Sequence, residues 1–212
     1  MRRQLRPAVA FVVVSTVVLG AIYPLMTWAL GSVLFSDKVD GSLVRRNGEV
    51  VGSALLGQEF TGPQWFHGRP EPFEGSYADG SSGSSNLGPS NDDLAASVTE
   101  RARLYRVQNR VPRTTGVPID AVTSSGSGLD PHISVANARL QARRVAAARG
   151  VAVDRVLAAI DDATATRPLG ILGDEGVNVL RLNIAVADLA DLADGADGAD
   201  GADGAASAGT TP

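Results

Sequence analysis

The chain has no cysteine among its 212 residues. That excludes disulfides, a cysteine-linked lipid anchor and any structural zinc site of the cysteine-bearing kind. Histidine is nearly as scarce, with His67 and His132 alone, and Lys38 is the one lysine. A phosphate-binding loop of the Gly-x4-Gly-Lys-Ser/Thr type needs a lysine in a glycine-rich frame, and Lys38 has none. The string Ser125-Gly126-Ser127-Gly128 does not match the Gly-x-Ser-x-Gly elbow of serine hydrolases. It reads as a tight turn, with a small anion nest as the lesser alternative. Two histidines with Asp130 make a conceivable metal site, but only closeness in sequence supports it, so no metal ligand is assigned. An excess of positive charge is also missing. Residues 36–187 carry 16 basic and 17 acidic side chains, a balance that gives no support for nucleic-acid binding.

What the sequence does have is one long uncharged run, Ala8 to Phe35, preceded by Arg2, Arg3 and Arg6. As a helix it reaches about 42 Å, more than the roughly 30 Å of a bilayer's hydrocarbon core. It is about twice the length of a signal-peptide apolar region, so an uncleaved anchor is expected instead of a leader. Basic residues at one end hold that end on the cytoplasmic side. The expected layout is a cytoplasmic N-terminus (1–7), a transmembrane helix (8–35), an extracytoplasmic domain (36–187) and a disordered acidic tail (188–212). Pro24 falls inside the run and is expected to kink or loosen the helix, a hint of a membrane partner. The tail repeats Ala-Asp-Gly from Ala193 to Gly204 and carries six aspartates with little to bury.

Between anchor and tail, Ser42–Arg46 and Glu49–Leu56 flank Asn47-Gly48, the signature of a type I′ hairpin. Residues 61–90 are rich in Gly, Pro and Ser and read as a long irregular excursion, a functional loop or a docking surface. A helix follows, capped by Ser90 or Asn91 and running to about Asn109, with Leu94, Val98, Arg101 and Tyr105 on one face. Ile119–Thr123 is a short strand candidate. Ser134 caps a second helix ending at Gly150, and Asp154 caps a third ending near Ala163. The alternation of Leu180, Leu182, Ile184 and Val186 suggests a strand over Val177–Val186. The fold class is a single-pass membrane protein: one N-terminal transmembrane helix and a small extracytoplasmic α+β domain.

One string is more specific than these patterns. Val122 to Ser134 (VTSSGSGLDPHIS) closely resembles the hallmark of the C subunit of the bacterial potassium-transporting P-type ATPase, the KdpC family. Tyr23-Pro24, Gly52-Ser53, Gly57-Gln58, Phe66-His67-Gly68-Arg69-Pro70 and Ser85-Asn86-Leu87-Gly88-Pro89 stand in the family's order before it. Gln141, Arg144-Val145-Ala146 and Val177 to Asn183 follow. One departure is visible, Ser84 where the family shows the second glycine of Ser-Gly-Gly-Ser-Asn-Leu. The resemblance spans roughly residues 5–187. It implies an accessory, non-catalytic subunit of a high-affinity ATP-driven potassium pump in the bacterial cell membrane. Its implied partners are a potassium-channel-like subunit, an ATP-hydrolysing subunit and the lipid bilayer, with no nucleic acid. The family role is assembly and service as a catalytic chaperone that raises the ATP affinity of the hydrolysing subunit. No cofactor of its own is implied, only ATP through the complex, with Gln141 as the residue proposed to touch nucleotide. The hallmark loop is Ser125, Gly126, Ser127, Gly128, Leu129, Asp130, Pro131 and His132. On the residues alone, a membrane-anchored extracytoplasmic binding or sensor module is the alternative.

Overall fold

The computed structural model describes residues 2–203, in two units that divide after Leu43. The first is helical: α1 (Arg2–Val17), a π-helical turn (Val18–Ile22), α2 (Tyr23–Leu34) and a short α3 (Ser36–Val39). Arg3–Leu34 is long and apolar enough to cross a membrane. The expected disturbance at Pro24 takes a definite form. Proline has no N–H, and its ring clashes with the carbonyl four residues back. The widened turn immediately before it absorbs that clash, with the Tyr23 N–H bonded to the Val18 carbonyl. Thr27 Oγ1 donates to the carbonyls of Tyr23 and Pro24, and Ser32 Oγ to that of Trp28, so these hydroxyls add no unpaired polar group to the apolar helix.

In the second unit, β1 (Leu43–Arg46) and β2 (Glu49–Ser53) form the expected hairpin, and Asn47 and Gly48 both take positive φ, as a type I′ turn requires. The long excursion contains one short helix, α4 (Ser76–Asp79). Then comes α5 (Asp92–Asn109), where Asn91 is the cap and accepts from the Asp93 and Leu94 amides. Three short strands make an antiparallel sheet in the order β3-β5-β4: β3 (His132–Ile133), β4 (Thr164–Ala165) and β5 (Gly176–Asn178). Helix α6 (Val135–Arg149) starts at the Ser134 cap, and α7 (Val153–Ala163) follows. Helix α8 (Val179–Asp203) closes the order. The core gathers Ala138, Ala142 and Val145 of α6, Val156 and Ile160 of α7, Leu182 and Val186 of α8, Ile133 and Val177 of the sheet, and Phe66 from the excursion.

Four expectations change. Val177–Val186 is strand only as far as Asn178, and helix from Val179. The alternating apolar residues also satisfy helical spacing, and Val179, Leu180, Leu182, Asn183, Val186 and Ala187 are buried. Asn178 decides between the two, because its Oδ1 accepts the Arg181 N–H and starts the helix. Ile119–Thr123 holds a 3-10 turn over Ile119–Ala121 in place of a strand, since Pro118 and the backbone bonds from Val122 and Thr123 to the Ile119 carbonyl curl it. Asp154 lies in the first turn of α7 but Ala152 occupies the cap position, with no side-chain bond. Finally, the chain does not lose structure at residue 188. Asp188 and Asp191 pair with Arg46 at 2.9 and 2.6 Å, and Leu189 and Ala190 pack against the core. Three packed turns nucleate the helix, so continuing it to Asp203 costs far less than starting one there. The expected disorder of 204–212 falls outside the described residues.

A helix at 179–187 predicts unequal neighbours. Leu182 is fully buried and Arg181 exposed. Thermal melting of the full chain in detergent should show Leu182→Ala costing about 2–5 kcal/mol. Arg181→Ala should stay within about 0.5 kcal/mol.

Candidate functional site

The irregular excursion is held by side-chain amides from two helices. Asn183 of α8 accepts the Phe66 N–H on Oδ1 (2.7 Å) and donates Nδ2 to the Phe66 carbonyl (3.0 Å). One residue on, Gln141 of α6 accepts the His67 N–H on Oε1 (2.8 Å) and donates Nε2 to the His67 carbonyl (3.0 Å). Two successive residues thus have both backbone groups paired by one amide each, the bonding that a neighbouring strand would otherwise supply. Both amides are buried, with Asn183 and Gln141 each 1% exposed.

Gln141 has no capacity left over. Its second N–H goes to Asn137 Oδ1 (3.0 Å), and Oε1 takes a further bond from Arg144 Nη2 (2.8 Å). A primary amide offers two donors and two lone pairs, and all four are engaged. Arg144 extends the network by donating to Asn109 Oδ1 and to the carbonyls of Pro63 and Trp65. Arg149 reaches the Gln64 carbonyl and stacks its guanidinium 4.3 Å from the centre of the Trp65 ring. On the other side, Asn137 receives the Tyr105 hydroxyl (2.8 Å) and donates to Asp120 (2.9 Å), whose carboxylate also takes the Ser134 N–H and hydroxyl. Burial pushes the Tyr105 hydroxyl's pKa upward, and the Asp120 charge adds to the effect, so Tyr105 stays a neutral donor.

The hallmark loop is tied into the same frame. Arg69 donates to the carbonyls of Thr123 and Ser124 and lies 3.7 Å from Asp130 Oδ2. Asp130 Oδ1 accepts the His132 N–H at 3.0 Å and faces His132 Nδ1 at 3.2 Å, an Asx turn that sets the entry to β3. The Pro131 carbonyl accepts the Val179 N–H, and the Leu129 carbonyl the Gly57 N–H. Ser125 is buried, and its Oγ receives the Asp130 N–H and faces Ser127 Oγ. Gly126 is exposed in open space. Gly128 needs to be glycine twice over: its φ is +72°, and a Cβ would come 2.5 Å from the Gly83 carbonyl oxygen. At Ser84, by contrast, φ is not positive, so serine sits there without strain and donates to Asn86 Oδ1. The hallmark string is therefore a turn held by backbone and side-chain hydrogen bonds.

The two histidines are apart in their bonding. His67 Nε2 meets the Gly62 carbonyl and Nδ1 the Gln108 amide, whereas His132 faces Asp130. Among the described residues no group of three or more His, Asp or Glu is placed to hold a metal ion. A cleft of about 300 Å³ opens beside the clasp, lined by Gln58, His67, Arg69, Tyr77, Leu104 and Gln141 among others. Arg69 and Arg101 border it, yet both spend guanidinium N–H groups on backbone carbonyls. The site's chemistry is that of a scaffold. Sequence reading found Gln141 and the hallmark loop but missed Asn183, Asn137 and Arg144 as bonding partners. The available signal was a set of buried-face amides on helices rich in small apolar residues.

The chain thus joins one helix long and apolar enough to cross a membrane to a small α+β domain braced by internal amides. The family described as KdpC, K+-transporting ATPase, c chain, matches residues 5–188. The potassium-transporting ATPase KdpC subunit of Mycobacterium tuberculosis is 50% identical over 186 residues, 88% of this chain and 98% of that protein. That of Rhodospirillum rubrum is 47% identical over 186 residues, covering 88% and 96%. That of Kineococcus radiotolerans is 46% identical over 184 residues, covering 87% and 93%. The chain belongs to the KdpC family.

Two titrations give a test of the frame. Burial lowers the His67 pKa. Folding therefore disfavours its protonation, and its contribution is complete above about pH 6.5 and lost as pH falls. The His132 ring holds Asp130 below the ordinary carboxylate range, helped by the His132 N–H and Arg69. Its contribution is present above about pH 4 and lost below that. Melting temperature should therefore fall in two separate acid steps. His67→Gln should remove the upper step and Asp130→Asn the lower one, read by circular dichroism of the full chain.

Proposed function

We propose that this chain is an accessory subunit of an ATP-driven potassium uptake pump, without a catalytic centre of its own. Its partners are a potassium-channel-like subunit and an ATP-hydrolysing P-type subunit. Family membership supports the assignment, and the relatives' printed names supply the transported ion. The chain's place is the bacterial cell membrane, with N-terminal residues inside and the α+β domain outside. Arg2, Arg3 and Arg6 before the span support that orientation.

In this reading the subunit raises the ATP affinity of its hydrolysing partner as a catalytic chaperone. Nucleotide is cytoplasmic and the domain is exported, so the effect passes through packed helices as a coupling free energy. The observation that carries this version is the saturated amide of Gln141, which has no donor or acceptor to offer a nucleotide. Gln141 is then a positioning residue for the Phe66–His67 backbone.

Gln141→Ala separates the two roles. It should cost the domain about 2–4 kcal/mol, because buried His67 backbone groups lose their partners. In complexes that assemble with full subunit content, the KM for ATP should stay within two-fold of the parent, about 0.4 kcal/mol. A large rise in KM with unaltered melting would make Gln141 a nucleotide ligand. For topology, a reporter fused after Gly204 should be active only in the exported compartment, and cytoplasmic activity would overturn the orientation.

A further inference from the structure

The widened turn before Pro24 leaves a backbone acceptor without a partner in its own helix. In an α-helix the Leu19 carbonyl would accept the Tyr23 N–H, but that N–H bonds to the Val18 carbonyl instead. In the π-helical register Leu19 would accept from residue 24, and Pro24 has no N–H. The hydroxyl bonds of the span, from Thr27 and Ser32, end at Tyr23, Pro24 and Trp28. Leu19 lies 16 residues after Arg3 and 15 before Leu34, at the middle of the helix that can cross a membrane. At about 1.5 Å per residue, water at either end is more than roughly 20 Å away. The backbone is also approachable there. Gly20 follows Leu19, and a Cβ placed on it would meet Thr16 Cγ2 at 3.9 Å and nothing nearer.

We propose that a membrane-spanning helix of another pump subunit packs against the Thr16–Gly20 face and donates a hydrogen bond to the Leu19 carbonyl from a neutral side chain: serine, threonine, asparagine or glutamine. The acceptor itself selects this occupant. An unpaired carbonyl in hydrocarbon is costly, and acyl chains have no donor to offer. A cationic donor does not fit. No residue from Ala8 to Phe35 is charged, so nothing here would neutralise a lysine or arginine at the bilayer centre. Glycine with threonine one turn before it lets a second backbone come close, as a short polar side chain needs to do to reach a main-chain oxygen. The partner is thus specified at one depth, while the remaining span asks only for apolar contact. The proposal rests on the membrane-anchored, accessory reading and lies wholly within the first unit.

The test is co-purification of the tagged full chain, coexpressed with the other pump subunits, over a detergent series that dissociates the complex. Gly20→Leu keeps the acceptor and blocks the approach, so retention of the other subunits should weaken about ten-fold or more. Pro24→Ala removes the ring and restores an N–H, so an unbroken α-helix pairs Leu19 with Tyr23 and Gly20 with residue 24. Retention should then fall roughly three- to thirty-fold. Phe11→Leu, about two and a half turns from Gly20 and so on the far side, should stay within about two-fold. Weakening by Gly20→Leu but not by Pro24→Ala would show packing without the hydrogen bond and overturn the proposal. Full retention of both variants would overturn it too. A photo-crosslinking residue in place of Thr16 should form an adduct with another subunit. Adducts with lipid alone, or with a second copy of this chain, would overturn the proposal. If the parent chain retains no pump subunit, the accessory reading itself falls and takes the proposal with it, which separates that failure from failure of the Leu19 contact alone.

Discussion

A loop rich in glycine, proline and serine has little apolar surface to hold it, and ordering each residue costs about 1–2 kcal/mol of backbone entropy. In this domain Phe66 is the one side chain of residues 61–90 that joins the central core. Burying Phe66 draws the neighbouring backbone away from water, and each stranded N–H or carbonyl costs about 1–3 kcal/mol. The amides of Asn183 and Gln141 remove that penalty at both residues. They do so from different helices, α8 and α6, which binds the excursion to the helical layer at one point. The rest follows outward from there: Arg144 and Arg149 collect the carbonyls before Phe66, and Arg69 after it grips the hallmark loop.

This arrangement explains why widely separated strings share one purpose. Phe66-His67-Gly68-Arg69-Pro70, Val122 to Ser134, Gln141 with Arg144, and Val177 to Asn183 meet in a single hydrogen-bonded frame. Asn178 ties that frame to the hairpin side by donating to the Ala54 carbonyl while capping α8. Buried polar networks of this kind are costly when half satisfied and specific when complete. Here the bonds fix where the hallmark loop stands relative to α6 and α8. On the proposed accessory role, that constancy is what a partner subunit would meet.

The helices α5 and α6 were legible in sequence because their ends are chemical: Asn91, Ser134 and Gly150 announce caps regardless of tertiary context. The Asn47-Gly48 hairpin was legible for the same reason. The first turns of α8 were misread because Leu180, Leu182, Ile184 and Val186 fit a two-residue period as well as a helical one. Only the Asn178 cap and the burial of Asn183 break the tie, and neither is visible as spacing. Ile119–Thr123 failed because a five-residue segment with Asp120 in it is too short to carry a period. The site was half legible. Gln141 and Asp130 could be picked out, yet the partners that consume their hydrogen bonds lie up to 74 residues away in the chain. Sequence separation of that order hides whether a polar residue is offered to a ligand or spent on the fold.

The central claim is that side-chain amides, in the absence of a neighbouring strand, lock the Phe66–His67 backbone. Site-resolved hydrogen exchange on the full chain in nanodiscs tests it directly. The Phe66 and His67 amide protons should exchange as slowly as those of Val145 and Leu182 in the core, through global unfolding alone. Exchange at the pace of the exposed Ser82 and Ser85 amides would show that the clasp opens freely, and would contradict the account.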